Sequence, residues 1–175
     1  VSIYGNSKRQ GEIALAETCE NHLIARVSWG FGPDRPSFLD QILKRAMEEE
    51  RVEAIGDKWA VPTYTLDAAK YLRPLLRENP ERGIVHLCNS GECTWQEYGQ
   101  FALDCASKMG VALKATHVGG LKMADLKAFI ARRPPYTVMD TNKLAGLLGY
   151  SPRSWQDAVA DYLRTAPVLR IAAAS

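Results

Sequence analysis

Residues 83–110, GIVHLCNSGECTWQEYGQFALDCASKMG, constrain the fold more than any other stretch of this chain. Ile84 to Leu87 is a short apolar run of strand character, a polar loop follows, and Thr94 and Glu97 stand at the spacing of a capping box that opens a helix. Trp95, Tyr98, Phe101, Ala102, Cys105 and Met109 then line one side at helical spacing, and Gly110 closes the helix. A strand that runs through a loop into a capped amphipathic helix is the repeating unit of an α/β domain.

The remainder of the chain fits that class. GEIALAETCENH has helical character, and the apolar run Leu23 to Trp29, bounded by GFGPDRP, predicts a strand of a buried parallel sheet. Phe38, Leu39, Ile42, Leu43, Ala46 and Met47 predict an amphipathic helix with Ser37 as its N-cap. A short strand, a turn at Gly56 and Asp57 and a second extended piece around Pro62 come next. LDAAKYLRPLLREN reads as a helix that Pro74 either ends or kinks. VALKATHV is a strand candidate, LKMADLKAFIARRPPYTVMDT passes from a helical pattern into a Pro-Pro loop, and two helices close the order, Asn142 to Leu148 before Gly149 and Trp155 to Arg164 after Ser154. The last residues, VLRIAAAS, are expected to be loosely held.

Composition excludes several classes. With 22 basic and 20 acidic residues scattered over 175 positions, no stripe forms that could track a phosphate backbone, so no nucleic-acid partner is expected. Cys19, Cys88, Cys93 and Cys105 lack Cys-x-x-Cys spacing and are not paired with His22, His86 or His117 at metal-ligand intervals; free thiols in a reducing compartment and no metal are expected. No apolar stretch approaches the ~20 residues of a membrane span, so no membrane partner and a cytoplasmic location are expected.

Chemistry enters at residues 2–12, SIYGNSKRQGE. On a helix, Tyr4 and Lys8 fall on one face, about 6 Å apart along the axis. A lysine ammonium beside a phenol favours the phenolate, and such a tyrosine can pass a proton to a carbonyl oxygen as hydride reaches the adjoining carbon. The same lysine can hold the ribose hydroxyls of a nicotinamide cofactor. By itself the spacing is also compatible with simple packing.

YGNSKRQGE, HLIARVSWGFG, GDKWAVPTY, GIVHLCNSGECTWQEYG and RRPPYTVMDTNKL occur in the order and at the intervals found in dTDP-4-dehydrorhamnose reductases, and from Ser2 to about Leu163 the chain resembles the carboxyl-terminal part of that extended short-chain dehydrogenase/reductase family. The resemblance implies an α/β fold: the carboxyl-terminal part of an NAD(P)-binding Rossmann-type fold with a smaller α/β substrate-binding domain. It assigns 1–32 and about 62–90 to the cofactor domain, about 33–61 and 91–165 to the substrate region, and 166–175 to a tail. Tyr4 becomes the proton donor and Lys8 the ribose-binding residue, both facing NADPH or NADH. The backbone at Val27 and Ser28 lies beside the nicotinamide, Trp29 against the sugar nucleotide, and Arg133 at a nucleotide contact. Trp29 has a plainer reading as a strand-end residue packed on the next loop, and Val61 to Thr63 reads as mainly structural. A nucleotide-sugar is the implied substrate, and a homodimer is admitted.

Departures accompany the match. Val27 stands where the family usually has Thr, and RRPPYTVMDT replaces a commoner Arg-Pro-x-x-Ser/Asn pattern. A dinucleotide site needs a glycine-rich turn between its first strand and helix; GFGPDRP runs into Pro33 and does not supply one. The expectation is therefore a fragment of a reductase, inactive alone and without measurable NADPH binding. The alternative is a non-catalytic relative such as a regulatory subunit of methionine adenosyltransferase.

Overall fold

The computed structural model describes residues 2–77, 83–126, 133–166 and 169. Helix α1 (Ile3–Thr18) leads through β1 (Leu23–Arg26) and β2 (Gly30–Phe31) to α2 (Phe38–Glu48). Strands β3 (Val52–Ile55), β4 (Trp59–Ala60) and β5 (Thr63–Tyr64) precede α3 (Thr65–Arg77) and β6 (Gly83–His86). The chain continues through β7 (Cys93–Thr94), α4 (Trp95–Lys108), β8 (Val118–Leu121), a 3-10 turn (Met123–Asp125), α5 (Asn142–Leu148) and α6 (Trp155–Leu163).

Parallel pairing joins β1 to β6, β2 to β5 and β3 to β8, while β4 and β7 run antiparallel. Leu23 faces Gly83 and Arg26 faces His86, and Leu87 N donates to Arg26 O at 2.8 Å, one residue beyond the ladder.

Two apolar cores form. The larger takes Leu39, Ile42, Leu43 and Ala46 from α2, Tyr98, Ala102, Leu103 and Ala106 from α4 and Trp155, Val159 and Tyr162 from α6. These are the positions that a 3.6-residue period puts on one face, and each large side chain buried there contributes about 1.5–3 kcal/mol. Tyr71 and Leu75 of α3, Val85 and Leu87 at β6, and Leu144 of α5 make the second core. Helix α5 thus packs with α3 and β6 rather than with α4.

Several helix ends follow from sequence. Thr94 Oγ1 accepts from Glu97 N at 3.1 Å while the Glu97 carboxylate accepts from Thr94 N at 2.8 Å, the reciprocal capping box. Ser154 Oγ accepts from Asp157 N, and Gly149 ends α5 in the left-handed region at φ 74°. Pro74 lies inside α3, which runs on to Arg77 without ending there.

Other expectations need correction. The strand expected over Leu23–Trp29 stops at Arg26, because Trp29 adopts φ 34°, a conformation that no extended ladder accommodates. Its residues are half-buried or exposed, so β1 is less enclosed than its apolar sequence predicts. VALKATHV is not a strand: β8 starts at Val118, where that stretch ends. Met109 is exposed, since it caps α4 instead of continuing its inner face. Residues 127–132, within the stretch of helical pattern before the Pro-Pro loop, lie outside the described residues, as does most of the expected tail.

Candidate active site

Helix α1 is positioned by two local devices. Ser2 Oγ accepts from Gly5 N at 3.1 Å and caps the helix just before Tyr4. One turn beyond Lys8, on the same face, Glu12 grips Arg26 of β1 through Nε–Oε1 and Nη2–Oε2 bonds of 2.7 and 2.6 Å. Because α1 buries none of its residues, this bidentate pair is its main specific attachment to the strand. The guanidinium hydrogen bond holds the Glu12 carboxyl below its usual range and raises Arg26 in return.

Tyr4 and Lys8 emerge from this helix on one face, with Lys8 Nζ 5.5 Å from the Tyr4 ring centroid. Both are exposed, Tyr4 at 71%. They form one wall of an open groove of about 520 Å³, whose other wall is β1, Val27 and Met139. Arg9, Glu12 and Arg26 also line it. Since Glu12 and Arg26 neutralise each other, Lys8 and Arg9 leave the groove positive, a surface that favours anionic or hydroxyl-rich ligands.

The segment after β1 diverges from the groove. Val27 is 50% exposed on its rim, whereas Ser28 is buried. Trp29 turns its indole into an aromatic cluster, stacked on Trp95 at 4.9 Å and edge-on to Tyr98 at 4.8 Å, while its carbonyl accepts from Thr63 N at 3.1 Å. A positive φ at a bulky residue costs about 1–2 kcal/mol, and these contacts hold Trp29 in that conformation.

Arg133 lies elsewhere. Residues 134–137 zip onto β4: Trp59 N donates to Pro135 O at 2.7 Å and Thr137 N to Trp59 O at 2.9 Å. Lys58, buried at 8% exposure, donates from Nζ to Pro134 O at 3.1 Å. Burial lowers the Lys58 ammonium from its usual value, and the like charge of exposed Arg133 lowers it further. The structure therefore brings Tyr4, Lys8 and Val27 to one groove, keeps Ser28 and Trp29 on the segment that leaves it, and sets Arg133 on a separate ladder. Met139, Glu12 and Lys58 carried no signal in sequence, because only tertiary contact gives them a place.

In the glycine pattern at Gly30 and Gly32, packing demands the second glycine. A Cβ on Gly32 would stand 2.0 Å from Thr65 Oγ1, so Gly32 is required by the start of α3. Among the described residues, no group of three or more His, Cys, Asp or Glu is placed to hold a metal ion, and no helix is long and apolar enough to cross a membrane.

The α/β fold with its parallel strand pairs is that of the Rossmann-type reductases, dehydratases and epimerases. The chain belongs to the RmlD substrate binding domain family, whose model matches residues 1–167. It is 30% identical over 164 residues to the spore coat polysaccharide biosynthesis protein SpsK of Bacillus subtilis, covering 93% of this chain and 54% of that protein. With dTDP-4-dehydrorhamnose reductase of Escherichia coli K12 it shares 29% identity over 163 residues, 91% of this chain and 54% of the relative. A crystal structure of dTDP-4-dehydrorhamnose reductase from Bacillus anthracis in complex with NADP superposes with a TM-score of 0.80 at 25% identity, over 94% of this chain and 55% of that one. The chain thus spans about half the length of the curated relatives it matches.

Proposed function

We propose that this chain is the tyrosine-bearing and substrate-binding portion of a reductase that converts the 4-keto group of a nucleotide-linked 6-deoxysugar to an alcohol, dTDP-4-dehydro-L-rhamnose to dTDP-L-rhamnose being the leading case. The observation that carries this reading is the pairing of Tyr4 and Lys8 on the wall of one positive groove. The relatives named for that reaction support it.

The groove suits the nicotinamide-ribose end of NADPH or NADH: Lys8 offers three N–H donors to ribose hydroxyls, Val27 an apolar rim, and Arg9 a second cation. Bound there, the dinucleotide supplies the hydride. Tyr4 Oη donates its proton to the ketone oxygen as negative charge gathers on it, and Lys8 stabilises the phenolate left behind. The Glu12–Arg26 pair fixes the helix so that both groups keep one orientation. A cytoplasmic setting and a homodimer are part of the same reading.

The test is Tyr4→Phe in a protein of the relatives' full length that carries this chain. Ketosugar-dependent NADPH oxidation is expected to fall by about 10²–10⁴-fold, with KM for the sugar nucleotide little changed. Turnover at the unsubstituted rate would reject the assignment. Lys8→Met is expected to raise KM for NADPH as well as lower kcat.

A further inference from the structure

We propose that Trp95 is a positioning residue for the Tyr4 groove: its indole holds the backbone of Trp29 in the left-handed region, and through Trp29 it sets Val27 on the groove's rim. The role in turnover rests on the reductase reading above; the hold on Trp29 rests on geometry of its own.

The segment that leaves β1 is short and fixed at both ends. At its start, the Glu12 carboxylate grips Arg26, whose carbonyl accepts from Leu87 N at 2.8 Å. At its end, the Trp29 carbonyl accepts from Thr63 N at 3.1 Å, one step before Gly30 pairs with Thr63 in the β2–β5 ladder. Val27 and Ser28 are all that lies between. With so little chain to absorb a change, the φ of residue 29 decides where exposed Val27 stands, and Val27 lines the groove with Tyr4 and Lys8.

Residue 29 does not rest in this conformation by itself. Among the described residues, Trp29 is the one non-glycine residue with a positive φ, at 34°. Glycine adopts such a backbone without cost. A bulky side chain stays there only where its surroundings over-determine it, and strain of this kind gathers at functional sites.

The surroundings here are one face of α4. Trp95 stacks on the Trp29 indole with ring centres 4.9 Å apart and planes 26° from parallel, and Tyr98, one turn on, meets it edge-on at 4.8 Å. Tyr98 belongs to the buried core. Trp95 is only half-buried and stands in the first turn of α4, which the Thr94–Glu97 capping box makes rigid. Phe38 reaches the Trp29 ring at 5.6 Å but tilted by 43°, so it offers no second stacking face. An aromatic stack and the strain of one left-handed residue are of the same order. Removing the Trp95 face therefore releases residue 29 and, with it, Val27.

Amide hydrogen exchange of the chain in wild type, Trp95→Ala and Trp95→Phe, followed by NMR, tests the hold. The Thr63 amide reports on residue 29, because its bond to the Trp29 carbonyl breaks when that backbone rotates; the Leu87 amide, bonded to Arg26 O, reports on the strand behind it. Trp95→Ala is expected to speed exchange at Thr63 by about tenfold and to leave Leu87 within about threefold, while Trp95→Phe stays within about threefold at both. Unchanged protection of Thr63 in Trp95→Ala, or an equal loss at Leu87, overturns the proposal. Should Trp95→Ala fail to fold in a circular-dichroism melt, Trp95→Leu, apolar but without a flat face, carries the same comparison. In a protein of the relatives' full length that carries this chain, Trp95→Ala is expected to lower kcat for ketosugar-dependent NADPH oxidation by about tenfold. The pH profile, set by Tyr4 and Lys8, keeps its shape, and Trp95→Phe restores the rate. A kcat for Trp95→Ala within about threefold of wild type overturns the role of Trp95 in turnover. A full-length wild type that oxidises no NADPH with the ketosugar rejects the reductase reading, and exchange at Thr63 then decides the hold on Trp29 by itself.

Discussion

Glu12 and Arg26, fourteen residues apart, meet through two parallel hydrogen bonds of 2.7 and 2.6 Å that tie helix α1 to strand β1. Because no residue of α1 is buried, apolar packing contributes little to holding the helix there, and the orientation of Tyr4 and Lys8 depends on this pair. Glu12→Gln keeps the shape and loses the charge. It is expected to lower the melting temperature at pH 7 and to loosen α1, read as faster amide exchange over Ile3–Thr18. The Arg26 hydrogen bond lowers the Glu12 carboxyl below its unfolded value near ~4.3. Its stabilisation is therefore present above that pH and lost as pH falls through the lowered folded value. The gap between wild type and variant should close as acid is added below that value, and a gap that persists once the carboxyl is protonated would show that charge is not the cause. Arg26 is more than a third exposed, so solvent screening keeps the effect small.

Asn89 is fully buried and uses both ends of its amide: Oδ1 accepts from Tyr64 N at 2.8 Å, and Nδ2 donates to Asp67 Oδ2 at 2.8 Å. Asp67 also accepts from Arg153 Nε at 2.6 Å, so one side chain joins β5, α3 and the segment before α6. Asn89→Ala strands a backbone N–H and part of a carboxylate inside the fold. At about 1–3 kcal/mol for each unsatisfied group, a loss of about 3 kcal/mol is expected in a urea titration. A loss below about 1 kcal/mol would mean that water replaces the amide.

The four thiols divide by environment. Cys88 and Cys93 are buried, and burial raises both, Cys88 to about 11. Cys19 and Cys105 are half-buried. Since the thiolate is the nucleophile, native-state alkylation at pH 8 followed by mass spectrometry should label Cys19 and Cys105 well before Cys88 and Cys93. Labelling of all four at one rate would place the second pair outside the core.

How much of this was legible depended on distance along the chain. The Thr94–Glu97 capping box and the Tyr4–Lys8 pair are contacts within one helical turn, so spacing alone reveals them. The β8 ladder hid behind its glycines. Gly119 and Gly120 occupy its middle, and a Cβ on Gly120 would stand 2.8 Å from Gln96 Oε1, so the amide of Gln96 fills the space a side chain there would take and the strand signal is lost. Trp29 misled for a related reason: its apolar character extends β1 on paper, whereas its stack on Trp95 bends the backbone out of the ladder. The Lys58–Pro134 contact spans 76 residues and leaves no local trace.

Tyr162 donates to Asp40 Oδ1 at 2.6 Å inside the larger core, while the other Asp40 oxygen accepts from Ser37 N and Oγ at 2.7 Å each. One carboxylate thereby caps α2 and anchors α6, 122 residues further along. Burial, and then the Asp40 carboxylate, drives the Tyr162 phenol far above its usual value, so it remains a donor at any physiological pH. Tyr162→Phe preserves the ring and its edge-on contact with Phe31 at 5.7 Å but leaves one Asp40 oxygen without its donor. The expected cost is about 1–3 kcal/mol, the range for orphaning a buried acceptor, charged ones lying at the upper end. The double variant Tyr162→Phe with Asp40→Asn separates the hydrogen bond from the cap: a neutral amide oxygen tolerates the missing donor better. The two losses should therefore sum to less than their separate values in a double-mutant cycle read by urea unfolding. Strict additivity would mean that the tyrosine stabilises α6 through its ring alone.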